Sequence, residues 1–149
     1  MRTKRTIARF TVLSPVKGAT FECRLDGGPW APCAKGRITY KALAQGPHTF
    51  EGRARFGGVA DSTPVVRTWT VDTTPPVINV TAPVSGATYT VGQVVVPAYT
   101  CSDPAGGSVV CKGPATVDTK RAGKKTFTVT AKDSAGNKAT LKVNFTVVK

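Results

Sequence analysis

The 149-residue sequence predicts an all-β protein. Residues 48–56, 126–132 and 141–147 alternate apolar and polar side chains, the period of a strand with one buried and one solvated face. Turns rich in Gly, Pro, Asn and Asp separate these runs, and no segment repeats apolar residues at helical spacing. Short strands at this spacing predict a sandwich or a barrel.

A proline-rich segment divides the sequence. A strand predicted at 65–71 runs into the sequence Asp-Thr-Thr-Pro-Pro, and another predicted at 77–81 follows it. The two prolines lack backbone donors and keep the chain extended, so the link is expected to be short and semi-rigid. We therefore predict one domain over residues 1–72, a linker over 73–76 and a second domain over 77–149.

Each half contains one cysteine pair with the same spacing: Cys23 with Cys33, and Cys101 with Cys111. Four cysteines allow three connectivities, and pairing within each half is the economical one because each pair flanks a glycine-containing turn. A bridge that closes about ten residues is worth just under ~3 kcal/mol. A structural zinc site needs closer pairs such as C-x₂-C, which are absent. Disulfides favour an extracellular or virion-surface setting.

The first half carries a recognisable signature. Residues 19–33 (ATFECRLDGGPWAPC) match the pattern F-x-C-x-L-D-G-x-x-W-x-x-C, and the match continues through residues 46–50 and 68–76. Over residues 7–76 the chain thus resembles bacterial immunoglobulin-like repeat domains of secreted and cell-surface proteins. The resemblance implies an immunoglobulin-like β-sandwich stapled by one cystine.

The second half is similar to a different branch of bacterial immunoglobulin-like domains. Residues 76–78, 101–103 and 128–137 (TVTAKDSAGN) carry this looser likeness. Together the two resemblances imply two tandem immunoglobulin-like β-sandwiches joined by a short Pro-rich linker.

The first half departs from its family at the start. Such repeats open with a first strand before the segment that corresponds to residues 7–13, and here only residues 1–6 precede it. We therefore expect the first sandwich to lack its first strand and to leave a sheet edge exposed. Three explanations stay open: a fragment of a longer repeat array, a tolerated loss, or an edge completed by a neighbouring molecule through strand addition.

The charge is strongly positive, with 21 Lys and Arg against 8 Asp and Glu, a formal net charge of +13. It is spread over both halves and favours acidic partners such as an anionic polysaccharide, an acidic capsid, or nucleic acid bound without specificity. No apolar run is long enough for membrane insertion. Arg9 interrupts the apolar residues near the start, so no secretory signal is predicted there. The protein therefore reaches an oxidising environment in one of two ways: a longer precursor is cut, or the protein is released with virus particles from a lysed cell.

The densest basic cluster comprises Lys120, Arg121, Lys124 and Lys125. It is either a solvated turn or a contact with an acidic partner. Specific nucleic-acid recognition would require interleaved aromatic residues, and the cluster has none.

The single histidine, His48, starts a predicted strand and is interpreted as structural. Catalysis would need a nucleophile and an orienting acid around it, so no enzyme is predicted. Trp30 lies in the first cystine loop and could contact carbohydrate, lie over the disulfide or be exposed, whereas Trp69 is expected in the core.

Four aspartates, Asp72, Asp103, Asp118 and Asp133, could supply oxygen ligands to calcium. No D-x-D-x-D run is present, and Asp133 with Asn137 is expected to cap its own turn, so no metal and no cofactor are predicted.

These observations predict a non-enzymatic structural or adhesion module that presents or spaces a surface outside the cell. One alternative is a virion decoration or fibre subunit of phage type on an acidic particle surface. A carbohydrate-binding module is the second. The expected location is extracellular, at a cell surface or on a virion.

Overall fold

The computed structural model describes residues 1–149, and apart from one three-residue 3₁₀ turn its regular structure consists of fourteen β-strands. The all-β prediction is confirmed. The chain divides into two compact units, residues 1–73 and 74–149, and the division falls inside the segment expected to be a linker. No helix has the length and apolar character that crossing a membrane would require.

The first unit has eight strands in two sheets. The strands are β1 (Arg2–Thr3), β2 (Ala8–Thr11), β3 (Thr20–Leu25), β4 (Ala31–Pro32), β5 (Arg37–Tyr40), β6 (Gly46–Phe56), β7 (Val59–Ala60) and β8 (Val65–Val71). The larger sheet has the order β1-β8-β6-β3-β4, with β7 also paired to β6, and the smaller sheet pairs β2 with β5. The smaller sheet therefore contains only two strands.

Aromatic side chains from both sheets form the core of the first unit. Phe10 of β2 stacks on Phe50 of β6 with ring centroids 3.9 Å apart, and Trp69 of β8 lies 5.3 Å from Phe10. Trp69 is buried, as expected. The bonded pair Cys23–Cys33 is also buried in this core.

The N-terminal residues, expected to be too few for a first strand, do form a short one. Strand β1 pairs in parallel with Thr70 and Val71 of β8. Asp72 N–H donates to the Thr3 carbonyl at 2.9 Å, and the Arg2 guanidinium contacts the Asp72 carboxylate at 3.1 Å. These contacts cover part of the β8 edge, but no strand pairs with the second edge of β2.

The second unit has six strands in two sheets. They are β9 (Val77–Ala82), β10 (Thr88–Thr90), β11 (Ala98–Ser102), β12 (Val109–Lys112), β13 (Gly123–Asp133) and β14 (Lys138–Val148). One sheet has the order β10-β14-β13-β12, and the other pairs β9 with β11. Its buried core consists of Val117, Phe127, Val129, Val143, Phe145 and Val147.

The second disulfide, Cys101–Cys111, connects β11 to β12 and so joins the two sheets of the second unit. In the first unit, Cys33 lies in the loop just after β4, and its partner Cys23 is in β3. Both bridges follow the within-half pairing, but they occupy different places in the two units.

A tight turn sets the register of the β13–β14 hairpin. The Asp133 carboxylate accepts hydrogen bonds from the backbone N–H of Gly136 at 2.7 Å and of Asn137 at 2.8 Å. Its other oxygen accepts from Asn137 Nδ2 at 2.9 Å. Burial alone would raise the pKa of Asp133, but these hydrogen bonds together lower it. The expected capping of this turn is therefore present.

Candidate functional site

The outward surface of β12, β13 and β14 is the candidate site. Because side chains alternate along each strand, the positions between the core residues all point away from the core. These positions are mainly lysine and threonine. The "Lys–Thr face" is defined by Lys112, Lys124, Lys132, Lys138, Lys142, Thr126, Thr128, Thr130, Thr140 and Thr146.

No carboxylate neutralises the lysines of this face. All five are exposed, and none forms an ion pair. Of the acids nearest in sequence, Asp118 contacts Lys125 Nζ at 2.7 Å, and Asp133 is held in the hairpin turn. The face therefore presents five uncompensated positive charges.

Two of these lysines are direct cross-strand neighbours. In the β13–β14 register Lys132 lies opposite Lys138, so both ammonium groups project from the same face. Like charges directly opposite one another on a sheet are destabilising. Neither lysine forms an ion pair with an acidic residue, so the arrangement is expected to lower the stability of the hairpin.

The corresponding surface of the first unit is neutralised in a systematic way. In the β3–β6 register Glu22 lies opposite Arg53, and Arg24 lies opposite Glu51. The guanidinium–carboxylate distances are 2.8 Å for Arg53–Glu22 and 2.6 Å for Arg24–Glu51. Hydrogen bonds from Arg55 and then Arg53 lower the pKa of Glu22, and Arg24 lowers that of Glu51. This surface pairs its charges, whereas the Lys–Thr face does not.

Trp30, which could contact carbohydrate on the sequence alone, lies against the arginines of these ion pairs. Its ring lies 4.1 Å from the Arg53 guanidinium carbon and 4.5 Å from that of Arg24. The side chain is half-buried. Cation–π stacking on two arginines thus holds the indole against the first unit.

The expected basic cluster is only partly continuous with the Lys–Thr face. Lys124 begins the outward row of β13, whereas Lys125 points to the other side and binds Asp118. That hydrogen bond, followed by one from the Lys120 N–H, lowers the pKa of Asp118. Lys120 and Arg121 are exposed in the turn before β13.

Sequence reasoning missed the other four lysines of the face, Lys112, Lys132, Lys138 and Lys142. They are scattered along 31 residues of the sequence, and no contiguous run of basic residues marks them. The available signal was the alternation of Lys and Thr in two consecutive strands. Only the cross-strand register shows that these lysines share one surface.

The chemistry of the face suits anionic oxygens. Each ammonium group offers three donors and no acceptor, and each threonine hydroxyl can donate as well. A shallow depression of about 370 Å³ lies between Lys112, Lys132 and Lys138, with Thr130 and Thr140 in its lining. Flat surfaces with repeated cationic donors match polymers with repeated sulfate, carboxylate or phosphate groups.

The single histidine is buried and hydrogen-bonded through both ring nitrogens. Nδ1 lies 2.8 Å from the Asp26 carboxylate and Nε2 lies 2.9 Å from the Ala44 carbonyl. The Ala44 carbonyl, and then Asp26, raise the pKa of His48. Because an acceptor lies at each nitrogen, the ring can donate a hydrogen bond from both. His48 thus connects Asp26 to Ala44, which is a structural role.

No family model matches the chain, and no curated protein matches it. Among solved structures, the fibronectin(III)-like modules of CbhA from Clostridium thermocellum are 16% identical to it, with a TM-score of 0.47, and the alignment covers 98% of this chain and 86% of that one. Drosophila N-cadherin EC1-4 is 13% identical with a TM-score of 0.32, over 88% of this chain and 41% of that one.

Proposed function

We propose that the protein is a non-enzymatic attachment module of two tandem immunoglobulin-like sandwiches that acts outside the cell. The Lys–Thr face of the second unit binds an anionic polysaccharide, and the first unit presents or spaces a further surface. The two disulfides support an oxidising, extracellular setting.

The uncompensated pair Lys132 and Lys138 carries this proposal. The two lysines lie opposite each other and repel, although the neighbouring cross-strand pair of the same surface, Thr130 and Thr140, consists of neutral residues. A bound polyanion would replace the repulsion with attraction at both ammonium groups. The Lys–Thr face has no aromatic ring for base stacking, which favours a sugar polymer over single-stranded nucleic acid.

The test is titration of the full chain with heparin, a sulfated polysaccharide, over 50–300 mM salt. The variant Lys132→Glu/Lys138→Glu reverses two charges of the face. Its matched control, Lys17→Glu/Lys41→Glu, reverses two exposed lysines of the first unit. We expect the face variant to lose most of the affinity and most of the salt dependence, and the control to lose little.

A further variant distinguishes the face from the turn before it. Lys120→Glu/Arg121→Glu should bind nearly as well as the unaltered protein. If this variant loses binding while the face variant keeps it, the turn is the contact and the proposed face is not. Trp30→Ala should leave heparin binding unchanged, and a large loss would instead favour carbohydrate stacking on the first unit.

The decoration-subunit alternative predicts attachment to an acidic protein surface. Retained binding to an acidic particle protein, with no binding to heparin or to a carboxylated polysaccharide, would favour that function over the proposed one.

A further inference from the structure

Strand β2 of the first unit has an unused hydrogen-bonding edge. The Val12 N–H donates to the Gly36 carbonyl at 2.7 Å, and Phe10 lies opposite Ile38 in the same register. Backbone groups alternate sides along an antiparallel strand, so Phe10 bonds towards β5, and Arg9 and Thr11 direct their N–H and C=O groups to the other side. No strand lies there.

A groove of about 500 Å³ runs along this strand. Its lining includes Ile7, Phe10 and Trp69, together with the arginines Arg5, Arg9 and Arg67. Ile7 is 43% exposed although it is a large apolar residue beside the core. The groove therefore combines apolar side chains with backbone donors and acceptors that lack partners.

The charge of the groove is uniformly positive. Arg5, Arg9 and Arg67 are exposed, and none of them forms an ion pair. By contrast, Arg2 in the neighbouring β1 contacts Asp72. The lining contains no acidic residue. An extended segment with carboxylates would complement these arginines, and a basic or neutral one would not.

We propose that this groove accepts an extended acidic segment of a partner protein, which adds to β2 as a third strand of the smaller sheet. The backbone of the segment pairs with Arg9 and Thr11. Its apolar side chains pack towards Phe10 and Trp69, and its carboxylates meet the groove arginines. This mode of recognition obtains affinity from main-chain hydrogen bonds and specificity from alternate side chains. It is independent of the Lys–Thr face, which belongs to the other unit.

The experiment uses calorimetric titration of the full chain with synthetic peptides of about six residues, the usual length of a strand. One peptide alternates valine with aspartate, a second alternates valine with lysine, and a third is the aspartate peptide with every backbone nitrogen methylated. We expect the aspartate peptide to bind at least about tenfold more tightly than either of the other two.

Two variants locate the peptide. Arg9→Pro removes an outward N–H that the fold does not use, together with one positive charge of the groove, and should weaken binding of the aspartate peptide at least about tenfold. Arg67→Glu should weaken it about five- to tenfold by charge alone, which keeps the test decisive if the proline variant is poorly folded. Lys17→Glu, outside the groove, should bind as the unaltered protein does.

Several results would overturn the proposal. Equal affinity for the methylated peptide would exclude strand addition, and equal affinity for the lysine peptide would exclude charge selection. Absence of binding by the aspartate peptide to the folded protein would also refute it. A dimer that forms without peptide and dissociates in Arg9→Pro would show that a second copy occupies this edge.

Discussion

The substitution Lys132→Glu should stabilise the second unit while it weakens binding to a polyanion. It replaces a like-charge pair with Lys138 by an opposite-charge pair at the same cross-strand position. Such pairs contribute about 0.2–1 kcal/mol in either direction. Loss of one repulsion and gain of one attraction should therefore stabilise the unit by about 1 kcal/mol. The same change alters the charge of the binding face by two.

Hydrogen exchange of the amides in β13 and β14 measures this effect in the full chain, because it reports on the second unit alone. Protection should increase about fivefold at low salt, and the difference should shrink as salt screens the pair. Heparin affinity should decrease in the same variant.

The matched control is Lys124→Glu. Lys124 belongs to the same face but lies opposite Thr146 rather than a lysine. It should lose affinity without the gain in protection. If Lys132→Glu destabilised the hairpin at low salt, or if both variants gained equally, the argument from cross-strand repulsion would be wrong.

Three other changes test the structure. Acceptors at both ring nitrogens raise the pKa of His48 above its usual value near 6.5, so its contribution to stability is fully present below about pH 6.5 and is lost as pH rises through the folded pKa. Urea unfolding of the first unit between pH 6 and 9 should show this decline, and His48→Gln should abolish it. Replacing Cys101 and Cys111 by serine should lower the unfolding free energy by a little under ~3 kcal/mol, and a loss below about 0.5 kcal/mol would contradict the loop-entropy reasoning. Gly52→Ala should cost about 1–3 kcal/mol through overpacking, because its new Cβ would lie 2.5 Å from Val12 Cγ2; an unchanged urea midpoint would show that the core relaxes freely.

The long strands of this fold could be predicted from the sequence alone. Alternation located the strands observed at Gly46–Phe56, Gly123–Asp133 and Lys138–Val148, although each is longer than expected by a few residues. The two-residue strands could not be found in this way, because two residues contain no period. Strand β1 depends on backbone hydrogen bonds to β8, which are tertiary contacts and leave no local signal.

The candidate site was less accessible to sequence reasoning. Contiguous basic residues were recognised, but contiguous residues of a strand point to opposite faces, so Lys124 and Lys125 separate in the fold. The lysines that do share a surface come from three strands. Their proximity depends on the cross-strand register, which the sequence of one strand does not specify on its own.

The turn at Asp133 has a consequence for how the binding surface is encoded. A shift of β14 by one residue against β13 would exchange the two sides of the strand and turn Lys138 and Lys142 towards the apolar interior. The hydrogen bonds that Asp133 accepts from Gly136 and Asn137 oppose that shift. The acidic residue of this turn thus holds the lysines of β13 and β14 on one surface. Replacing it with a neutral residue could abolish that surface although every lysine is still present.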